Sequence, residues 1–481
     1  MAIKRYTAIA DNTISNQFNA ALNSRVTSAN TGLADSLEIF KMYGQVEQDT
    51  VEQSRILIKF PINETDLSED ITTIKQDRDA GTLPASGSVK FYLKLHNVEH
   101  PETVPRNYKV VAHPLTQDWQ EGLGIDLDNY LDIGHSNWLS SSTSVAWSAG
   151  GAEGNYDDSY LFEQEFDTGL EDFVVDVSDF VEDVLKGTLS NYGLILKMSS
   201  SYENDTNSYY TKKFSARGSE FFFKRPVIEA QWDSSMKDDR ANFYYSSSLA
   251  PAEDNLNTIY LYNNIGGRLK NIPSVGTGEL VVAFYESSAS SPTGAALTEV
   301  TGGYVSTGIY SASVAITGTQ ETLHDVWYTG STQFFTGTIY PETRSLDGTT
   351  RTNDYYVSIT NLKKVYENKG TERFRVYSRL KGWSPTIYTR AVSEPQMYIP
   401  TSGSYEIFRI IDNYKVIKHA TGSIKYTELS YDGSGSYFDF DMSMLEPGYS
   451  YGIKLAFYDD YVNSYKSVDK TFKFRVEKYE T

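Results

Sequence analysis

Residues 51–62 read VEQSRILIKFPI, and this stretch decides how the first half of the chain folds. Its apolar side chains recur at every second position, which is the period of a β-strand and fits a helix badly. The alternation places Ser54, Ile56, Ile58 and Phe60 on one face and Arg55, Leu57 and Lys59 on the other. Pro61 lacks the N–H group that a sheet needs, so the strand is expected to end there. The pattern predicts a core strand of a β-sandwich.

The composition of the whole chain also favours β-structure. Its 481 residues include 37 Tyr, 23 Phe and 34 Gly against 14 Pro, and this bias is typical of twisted sheets joined by turns. At about 150 residues per domain, the length predicts about three domains. We therefore expect an all-β chain with little helix.

Charge and cysteine content exclude several classes of function. With 43 Lys and Arg against 63 Asp and Glu, the formal charge is −20, and such a surface repels nucleic-acid phosphates and anionic lipid heads. We expect no direct nucleic-acid partner and no membrane partner. Without cysteine the chain has no disulfide or thiol chemistry, which fits synthesis in a reducing cytoplasm. No signal sequence is recognisable, so export is expected to need cell lysis or another route.

Further segments of the first half show strand or helix patterns. In residues 173–185 a short strand pattern gives way to apolar residues at helical spacing, which predicts a helix with Ser178 as N-cap. Residues 66–81 are predicted to hold one or two helical turns, and residues 11–13 a turn. Additional strands are predicted at 6–9, 36–43, 89–98, 192–198 and 221–232.

Taken in order, these segments resemble a known family. The sequences SRILIKFPI, VKFYLKL, LTQDWQEG, VVDVSDFVEDVLKGTLSNYGLILKM and FKRPVIEAQW are similar to the jelly-roll family named after disaggregatase, also written DNRLRE, which is built like carbohydrate-binding modules. The positions that match the family pattern are Arg55, Asp118-Trp119, the segment 181–185, Gly193-Leu194 and Pro226. The resemblance covers about half of the chain and implies a jelly-roll domain over residues 1–234.

The second half begins with a polar segment and a further domain. Residues 235–254 are polar and are predicted to form a linker or an extended arm. Residues 255–345 alternate in hydrophobicity at 280–285 and 308–316, and they supply Trp327 as a large aromatic for packing between two sheets. This pattern predicts an immunoglobulin-like β-sandwich.

Residues 346–481 carry the most specific local motif. LEPGYSY at residues 445–451 matches the L-x-P-G-x-x-Y pattern of fibronectin type III modules, whose Tyr hydroxyl bonds back to the main chain. Tyr451 is the predicted tyrosine corner, with Pro447 and Gly448 as its turn. Strands are predicted at 373–377, 405–410, 437–440, 452–457 and 471–476. We expect a fibronectin III-like sandwich with an insertion, because such modules run to only about 90–100 residues.

Three segments of this last domain resemble another group of proteins. WSPTIYTRA (383–391), LSYDGSGSYFDFDMSMLEPGYSYGIKLAFYDD (429–460) and FKFRVE (472–477) are similar to virion structural proteins of large contractile-tailed marine bacteriophages. The resemblance implies a protein assembled in the host cytoplasm into the neck, tail, baseplate or capsid surface of a virion. Its partners would be other virion proteins, with several copies related by the symmetry of the particle.

The sequence carries no recognisable catalytic motif, so we expect neither an enzyme nor a cofactor. It has no G-x-S-x-G elbow, no phosphate-binding loop and no metal-binding histidine spacing. A carboxylate pair acting on polysaccharide stays open, because its separation of about 5–9.5 Å depends on the fold. Asp126, Asp128 and Asp132 are calcium candidates, although their spacing differs from an EF-hand, and the alternative is that they are solvated turn residues.

Aromatic residues of one Ser-, Gly- and Asn-rich loop region are the sharper binding candidates: Trp119, Trp138, Trp147, Tyr130 and Tyr156. Their rings are suited to stack on host glycans, to anchor a protein interface, or to cover one end of the sandwich. The sequence therefore leaves two main functions. The first is a non-enzymatic virion component that mediates protein–protein assembly, and the alternative is an adhesion protein that recognises host surface glycans.

Overall fold

The computed structural model describes residues 2–44, 51–68, 71–286, 295–344, 354–381, 397–459 and 462–479. Residues 383–391, which contribute to the virion resemblance, lie outside them. The chain forms two compact units, Ile3–Trp232 and Asp233–Thr481, the latter together with Met1–Ala2. We call them the N-terminal and the C-terminal unit. Both consist almost entirely of β-strands, as the sequence predicts.

The N-terminal unit contains fifteen strands and three short helices among its described residues. The strands are β1 Ile3–Thr7, β2 Ala10–Ser15, β3 Ala29–Asn30, β4 Ser36–Met42, β5 Glu52–Lys59, β6 Lys90–Leu95, β7 Tyr108–Pro114, β8 Asp132–Ile133, β9 Ser140–Ser142, β10 Val145–Ala146, β11 Phe162–Phe166, β12 Phe173–Asp176, β13 Leu194–Met198, β14 Tyr209–Ser215 and β15 Val227–Gln231. The helices are α1 Ile74–Asp79, α2 Ser178–Lys186 and α3 Ser200–Glu203.

Eight of these strands form a jelly roll. One antiparallel sheet has the order β1-β15-β6-β12, and the other contains β5-β13-β7-β11, extended by β4 and β14 and by β2 on β5. This alternation between two sheets is the jelly-roll topology. Phe173 of the first sheet lies 6.4 Å, between ring centroids, from both Phe166 and Phe214 of the second. The sheets therefore face each other across an aromatic core.

The sequence VEQSRILIKFPI contains β5, a central strand that is covered on both faces. Ile56 to Ile58 pair with β13, while β2 runs antiparallel along the strand from Ser54 to Lys59. Ile56 and Ile58 are fully buried in the core. Arg55 and Leu57 point to the opposite face and are buried as well. The alternation in the sequence therefore distinguishes two faces of the strand that are both buried. Neither face is exposed to solvent.

The local predictions in this unit need three corrections. The strand predicted at 221–232 is confined to β15, because Phe222–Lys224 form a 3-10 helix. The helix predicted after residue 177 is α2, but Ser178 does not cap it; Asp176 Oδ1 accepts the Ser178 N–H at 2.9 Å, and Val177 is the N-cap residue. The turn predicted at residues 11–13 is wrong, because this segment lies within β2. Its polar side chains look like turn formers but are buried, where they bind other segments of the chain.

A buried carboxylate joins three strands of the first jelly-roll sheet. Glu229 on β15 accepts hydrogen bonds from Arg5 Nε at 2.7 Å and from Lys94 Nζ at 2.5 Å. Burial by itself raises the pKa of Glu229, but the charges of Arg5 and Lys94 outweigh it and lower the pKa to about 2. The ion pairs thus stabilise the folded state only while Glu229 is ionised.

The C-terminal unit contains two β-domains. The first contains β16 Asn257–Tyr262, β17 Asn264–Ile265, β18 Arg268–Leu269, β19 Leu280–Tyr285, β20 Thr298–Ser306, β21 Ile309–Val314, β22 Leu323–Thr329 and β23 Thr332–Ile339. The last contains β24 Tyr355–Ile359, β25 Val365–Glu367, β26 Thr371–Leu380, β27 Gly403–Arg409, β28 Lys415–Ile417, β29 Ser430–Asp432, β30 Gly435–Asp441, β31 Ser450–Asp459, β32 Ser464–Ser467 and β33 Phe472–Glu477.

The first β-domain is one bent sheet around a single core. Its order is β16-β21-β20-β19-β22-β23, and β20 pairs with β19 up to Gly302 and with β21 from Gly303 onward. A side chain at Gly302 would collide with the carbonyl oxygen of Ser311, so glycine permits this close crossing. Trp327 is fully buried between the two halves, as the sequence predicts for its large aromatic.

The prediction of a linker at residues 235–254 is wrong. Phe243 and Tyr245 are buried in the core of the first β-domain. Arg240 Nη1 donates to the buried Asp325 at 2.6 Å, and the other oxygen of Asp325 accepts the Trp327 indole N–H at 2.7 Å. Some of the segment's polar residues therefore make internal bonds, whereas in a linker they would face solvent.

The last β-domain is a two-sheet sandwich. Its sheets have the orders β24-β26-β30-β29 and β25-β33-β31-β27-β28, with β32 on β31, and they contain all the strands predicted from the sequence. At the LEPGYSY motif, the hydroxyl of Tyr451 donates to the carbonyl oxygen of Glu446 at 2.7 Å. This is the backward bond of a tyrosine corner. Gly448 turns with a φ of 92°, next to Pro447.

Among the described residues, no helix is long and apolar enough to cross a membrane.

Replacing Tyr451 by Phe should lower the free energy of unfolding of the C-terminal unit by about 1 kcal/mol, because one buried hydrogen bond is lost while the ring remains. Denaturant unfolding followed by far-UV circular dichroism measures the change. Tyr356→Phe is the matched control, since Tyr356 is 53% exposed and should leave stability unchanged. Equal stability of the two variants would contradict a contribution from the tyrosine corner.

Replacing Glu229 by Gln should destabilise the N-terminal unit by about 3 kcal/mol at pH 7, since each tenfold change in acidity is worth about 1.4 kcal/mol. The folded pKa lies below the unfolded one, so this contribution is present above about pH 4.5 and is lost as the pH falls toward 2. Urea titrations between pH 2 and 7 should show a flatter acid slope for the variant. Glu163→Gln removes an exposed pair with Lys109, which solvent screens, and should leave the stability nearly unchanged.

Candidate interaction surface

The loop between β7 and β11 is a long insertion that covers the outer face of the second jelly-roll sheet. It spans residues 115–161 and contains the short strands β8, β9 and β10. Its tryptophans and Leu115 form one buried cluster with Leu57 of β5 and Ile195 of β13. The insertion therefore has an inner side that packs on the sheet and an outer side that is open to contact.

The three tryptophans predicted as binding candidates lie on the inner side. Trp119, Trp138 and Trp147 are between 5% and 8% exposed. The indole N–H of Trp119 donates to the carbonyl of Tyr192 at 2.9 Å, and that of Trp147 to the carbonyl of Asn137 at 2.9 Å. Rings buried in this way cannot stack on a glycan or anchor a partner. Of the three interpretations, burial favours a covering role, but the rings cover the outer face of the second sheet and not one end of the sandwich.

A buried ion network lies beneath the insertion. Arg55 of β5 binds Glu203 at 2.8 Å and Glu153 at 2.8 Å, and its guanidinium lies 5.5 Å from the Trp138 ring centroid. Tyr156, another candidate, is half-buried and donates to Glu153 at 2.6 Å. Partial burial raises the pKa of Glu153, but the Tyr156 hydrogen bond and the Arg55 charge help to lower it to about 2. Tyr156 therefore serves as a hydrogen-bond donor within this network.

Two buried asparagines fix the tip of the insertion. Asn30 Oδ1 accepts the N–H of Gly124 at 3.0 Å, while its Nδ2 donates to the Asp132 carboxylate at 3.1 Å. Asn12 Nδ2 donates to the hydroxyl of Ser136 at 2.7 Å. Both asparagines are fully buried. The loop is thus held by side-chain bonds although it has little regular secondary structure.

Two of the three calcium candidates, Asp126 and Asp132, are occupied by similar bonds, while Asp128 is exposed. Asp126 Oδ1 accepts the N–H groups of residues 128, 129 and 130 at 2.7–2.9 Å, which closes a tight turn. These bonds lower the pKa of Asp126. Asp132 binds Asn30 and the Leu123 N–H. In the part of the chain that the structure describes, no three acidic or histidine side chains converge as a metal site would need.

The outer side of this ordered tip carries large apolar side chains, which we call the apolar loop surface. Its members are Leu33 (48% exposed), Leu123 (63%), Ile125 (53%), Tyr130 (67%), Leu131 (46%) and Ile133 (66%). Backbone bonds bring them together, because Leu33 N–H binds the Gly124 carbonyl and Ile125 N–H binds the Tyr130 carbonyl. Of the five aromatic candidates, only Tyr130 belongs to this surface. Exposed apolar groups on a fixed backbone are typical of interaction sites.

A carboxyl group with a strongly shifted pKa lies beside the beginning of the same loop. Asp11 of β2 accepts the N–H of Arg217 at 2.6 Å, and its own N–H donates to Glu121 at 2.8 Å. Burial raises the pKa of Asp11 to about 7, and the Glu121 charge adds to this effect. Arg217 in turn pairs with Glu121. These contacts tie the beginning of the insertion to the jelly roll.

Sequence reasoning missed the residues that form this site. The local pattern predicts a turn at Asn12 and gives no signal at Asn30, and it favours the tryptophans of the loop over its aliphatic residues as binding candidates. One signal was present, since 123–133 alternates apolar residues with Asp, Asn and Gly. Only the structure shows that the aliphatic chains face outward while the larger indoles face inward.

Comparisons with known proteins leave the function open. No family model and no curated protein matches the chain. It is similar to Escherichia coli alpha-2-macroglobulin (8% identity, TM-score 0.16, 98% of this chain covered) and to the Yersinia pseudotuberculosis adhesin InvE (12%, 0.15, 48%). The chain spans 26% and 61% of these two proteins. Likeness to the FN1–FN3 domains of chicken CNTN1 is 11% with a TM-score of 0.15, covering 59% of this chain and 87% of that one. Scores at this level carry no functional argument.

Replacing Asn30 by Ala should loosen the apolar loop surface, because the Gly124 N–H loses its buried acceptor at a cost of about 1–3 kcal/mol. Hydrogen–deuterium exchange of peptides covering 121–136 should speed up by about tenfold or more, while peptides from β13 keep their protection. Asn129→Ala is the control, since Asn129 is exposed in the same loop. Unchanged exchange in Asn30→Ala would show that the asparagine does not fix the loop.

Proposed function

We propose that the chain is a non-enzymatic structural component of a tailed bacteriophage virion that joins neighbouring virion proteins through the apolar loop surface. The observation that carries this proposal is five large apolar side chains, joined by Leu33 from the segment after β3, exposed on a loop whose backbone is fixed by buried side chains. A fixed surface loses little conformational entropy on binding, so it suits permanent assembly. The resemblance of the last domain to virion proteins supplies the setting.

The charge of the chain supports a protein partner. Asp126 and Asp128 alternate in sequence with residues of the apolar loop surface, and the whole chain carries a formal charge of −20. A partner with an apolar patch and basic rim would be attracted, whereas nucleic acid would be repelled. Assembly in the host cytoplasm, with several copies related by the particle symmetry, follows from the same resemblance.

The burial of the tryptophans weakens the alternative that this unit binds host glycans. That alternative depended on exposed tryptophans in the insertion, and those rings are buried. Tyr130 is the one exposed aromatic of the five candidates, and its neighbours are aliphatic. Aliphatic neighbours favour a protein interface, in which Tyr is enriched, over a site where the ring stacks on a sugar.

The test is quantitative mass spectrometry of purified particles from cells that carry the gene. The chain should be present at a constant ratio to the other virion proteins. The double variant Leu123→Asp/Ile133→Asp should lower its incorporation by about tenfold or more, because two apolar contacts are replaced by buried charges. The matched control is Leu161→Asp/Leu170→Asp, at two exposed positions elsewhere in the same unit.

Particles that lack the chain, or that incorporate the double variant at the wild-type level, would contradict the proposal. Binding to host surface glycans with micromolar affinity, combined with failure to co-sediment with particles, would favour the adhesion alternative instead. Thermal unfolding must match between the double variant and its control, so that a difference in incorporation reports on the surface.

A further inference from the structure

A cleft in the C-terminal unit lies between its two β-domains. The cavity has a volume of about 550 Å³, within the range of about 300–1,000 Å³ that is usual for small-molecule sites. The first β-domain contributes Tyr262 and Asn264, and the last β-domain contributes most of the remaining wall. The segment at Met236 closes one side and binds Ser430 and Tyr431 of the last domain through its backbone.

One wall of the cleft is the polar face of a sheet. Arg375 on β26 lies directly opposite Tyr437 on β30, and Arg373 lies opposite Asp439. Side chains alternate along a strand, so the intervening Phe374 points into the core of the domain, where it is fully buried. The same side of the sheet therefore presents arginine, tyrosine and aspartate to the cleft.

The charges along this wall are paired with each other. Arg373 donates from Nε and Nη2 to the two oxygens of Asp439 at 2.7 and 2.9 Å. Arg375 Nη1 donates to both oxygens of Asp432 at 2.7 Å. Since these pairs neutralise each other, they leave no net charge to attract an ionic ligand. The ion pairs hold the planar guanidinium and carboxylate groups in fixed positions. The carboxylates keep lone pairs free for further hydrogen bonds.

Aromatic rings line the same space. Tyr262 and Tyr426 are partly exposed in the cleft, whereas Tyr405 and Tyr437 are buried in its lining, at 2% and 3% exposure. The Arg373 guanidinium lies 4.2 Å from the ring centroid of Tyr437, and that of Arg375 lies 4.9 Å from it. A phenol ring combines an apolar face with a polar edge, so the partly exposed Tyr262 and Tyr426 offer the cleft flat apolar surfaces, which the paired charges of the wall border with donors and acceptors.

We propose that this cleft binds a neutral saccharide. An apolar ligand would strip water from the two arginine–aspartate pairs without replacing the hydrogen bonds, which is costly. An anion or cation would meet charges that are already paired, including the remaining carboxylate of the lining, Glu428, which binds Lys237 at 2.8 Å. A neutral sugar combines C–H faces that pack on tyrosine with hydroxyl groups that bond to the paired carboxylates and guanidiniums. The proposal is independent of the assembly role, which concerns the other unit.

The experiment is isothermal titration calorimetry of the full chain with maltohexaose, cellohexaose and other neutral oligosaccharides first selected on a glycan array. A sialylated oligosaccharide serves as the acidic probe. At least one neutral oligosaccharide should bind with a dissociation constant between micromolar and millimolar, and the sialylated probe should bind no more tightly. Tyr262→Ala should weaken that binding by about tenfold, through loss of a stacking face.

Three controls separate the cleft from the fold. Tyr262→Phe keeps the ring and should keep most of the affinity. Tyr356→Ala removes an exposed tyrosine that does not line the cleft and should bind like the wild type. If Tyr262→Ala has a lower melting temperature than the wild type, Tyr426→Ala, at a partly exposed cleft position, replaces it in the comparison.

Several results would overturn the proposal. These are failure of every neutral oligosaccharide to bind at millimolar concentration, tighter binding of the sialylated probe, and wild-type affinity in both Tyr262→Ala and Tyr426→Ala. A peptide that competes for the cleft while no sugar does so would show that it receives a protein segment. Incorporation into particles is measured separately, so failure here leaves the assembly proposal intact.

Discussion

The N-terminal unit depends on the requirement that β5 be covered on both faces. One face carries Ile56 and Ile58 and is covered by the opposing jelly-roll sheet. The other carries Leu57 and Arg55, which would leave an apolar side chain and a cation at the surface of the sheet. An arginine can be buried only with its charge paired and its hydrogen bonds satisfied. The insertion meets both needs, with tryptophans over Leu57 and with Glu153 beside Arg55.

This cover also creates the apolar loop surface. Since the inner side of the insertion is bound to the sheet, its tip has a defined position, which Asn12 and Asn30 fix further. The aliphatic residues that remain outside are therefore presented in one arrangement. Burial of the large indoles and exposure of smaller aliphatic chains have the same cause, because the deep face of the insertion needs the greater apolar area.

The C-terminal unit uses buried polar contacts in a comparable way. The Arg240–Asp325 pair holds the segment that precedes the first β-domain, and Met236 in that segment bonds to the last β-domain. A stretch with the composition of a linker thereby becomes one border of the cleft. In both units, polar side chains inside the protein position the surfaces that face outward, and buried hydrogen bonds are well suited to this because their geometry is directional.

The sequence by itself determined the all-β class, the helix α2 and the LEPGYSY corner, because these depend on the local period of apolar residues and on short turn motifs. The jelly-roll order is what the family resemblance implies. Only the tertiary structure decided which face of each loop is buried. Burial of Trp138, exposure of Ile133 and the place of Phe243 in a core depend on contacts between residues distant in sequence. The same holds for Asn30 and Arg240, since a polar residue that binds inside the protein has the same local pattern as one that faces water.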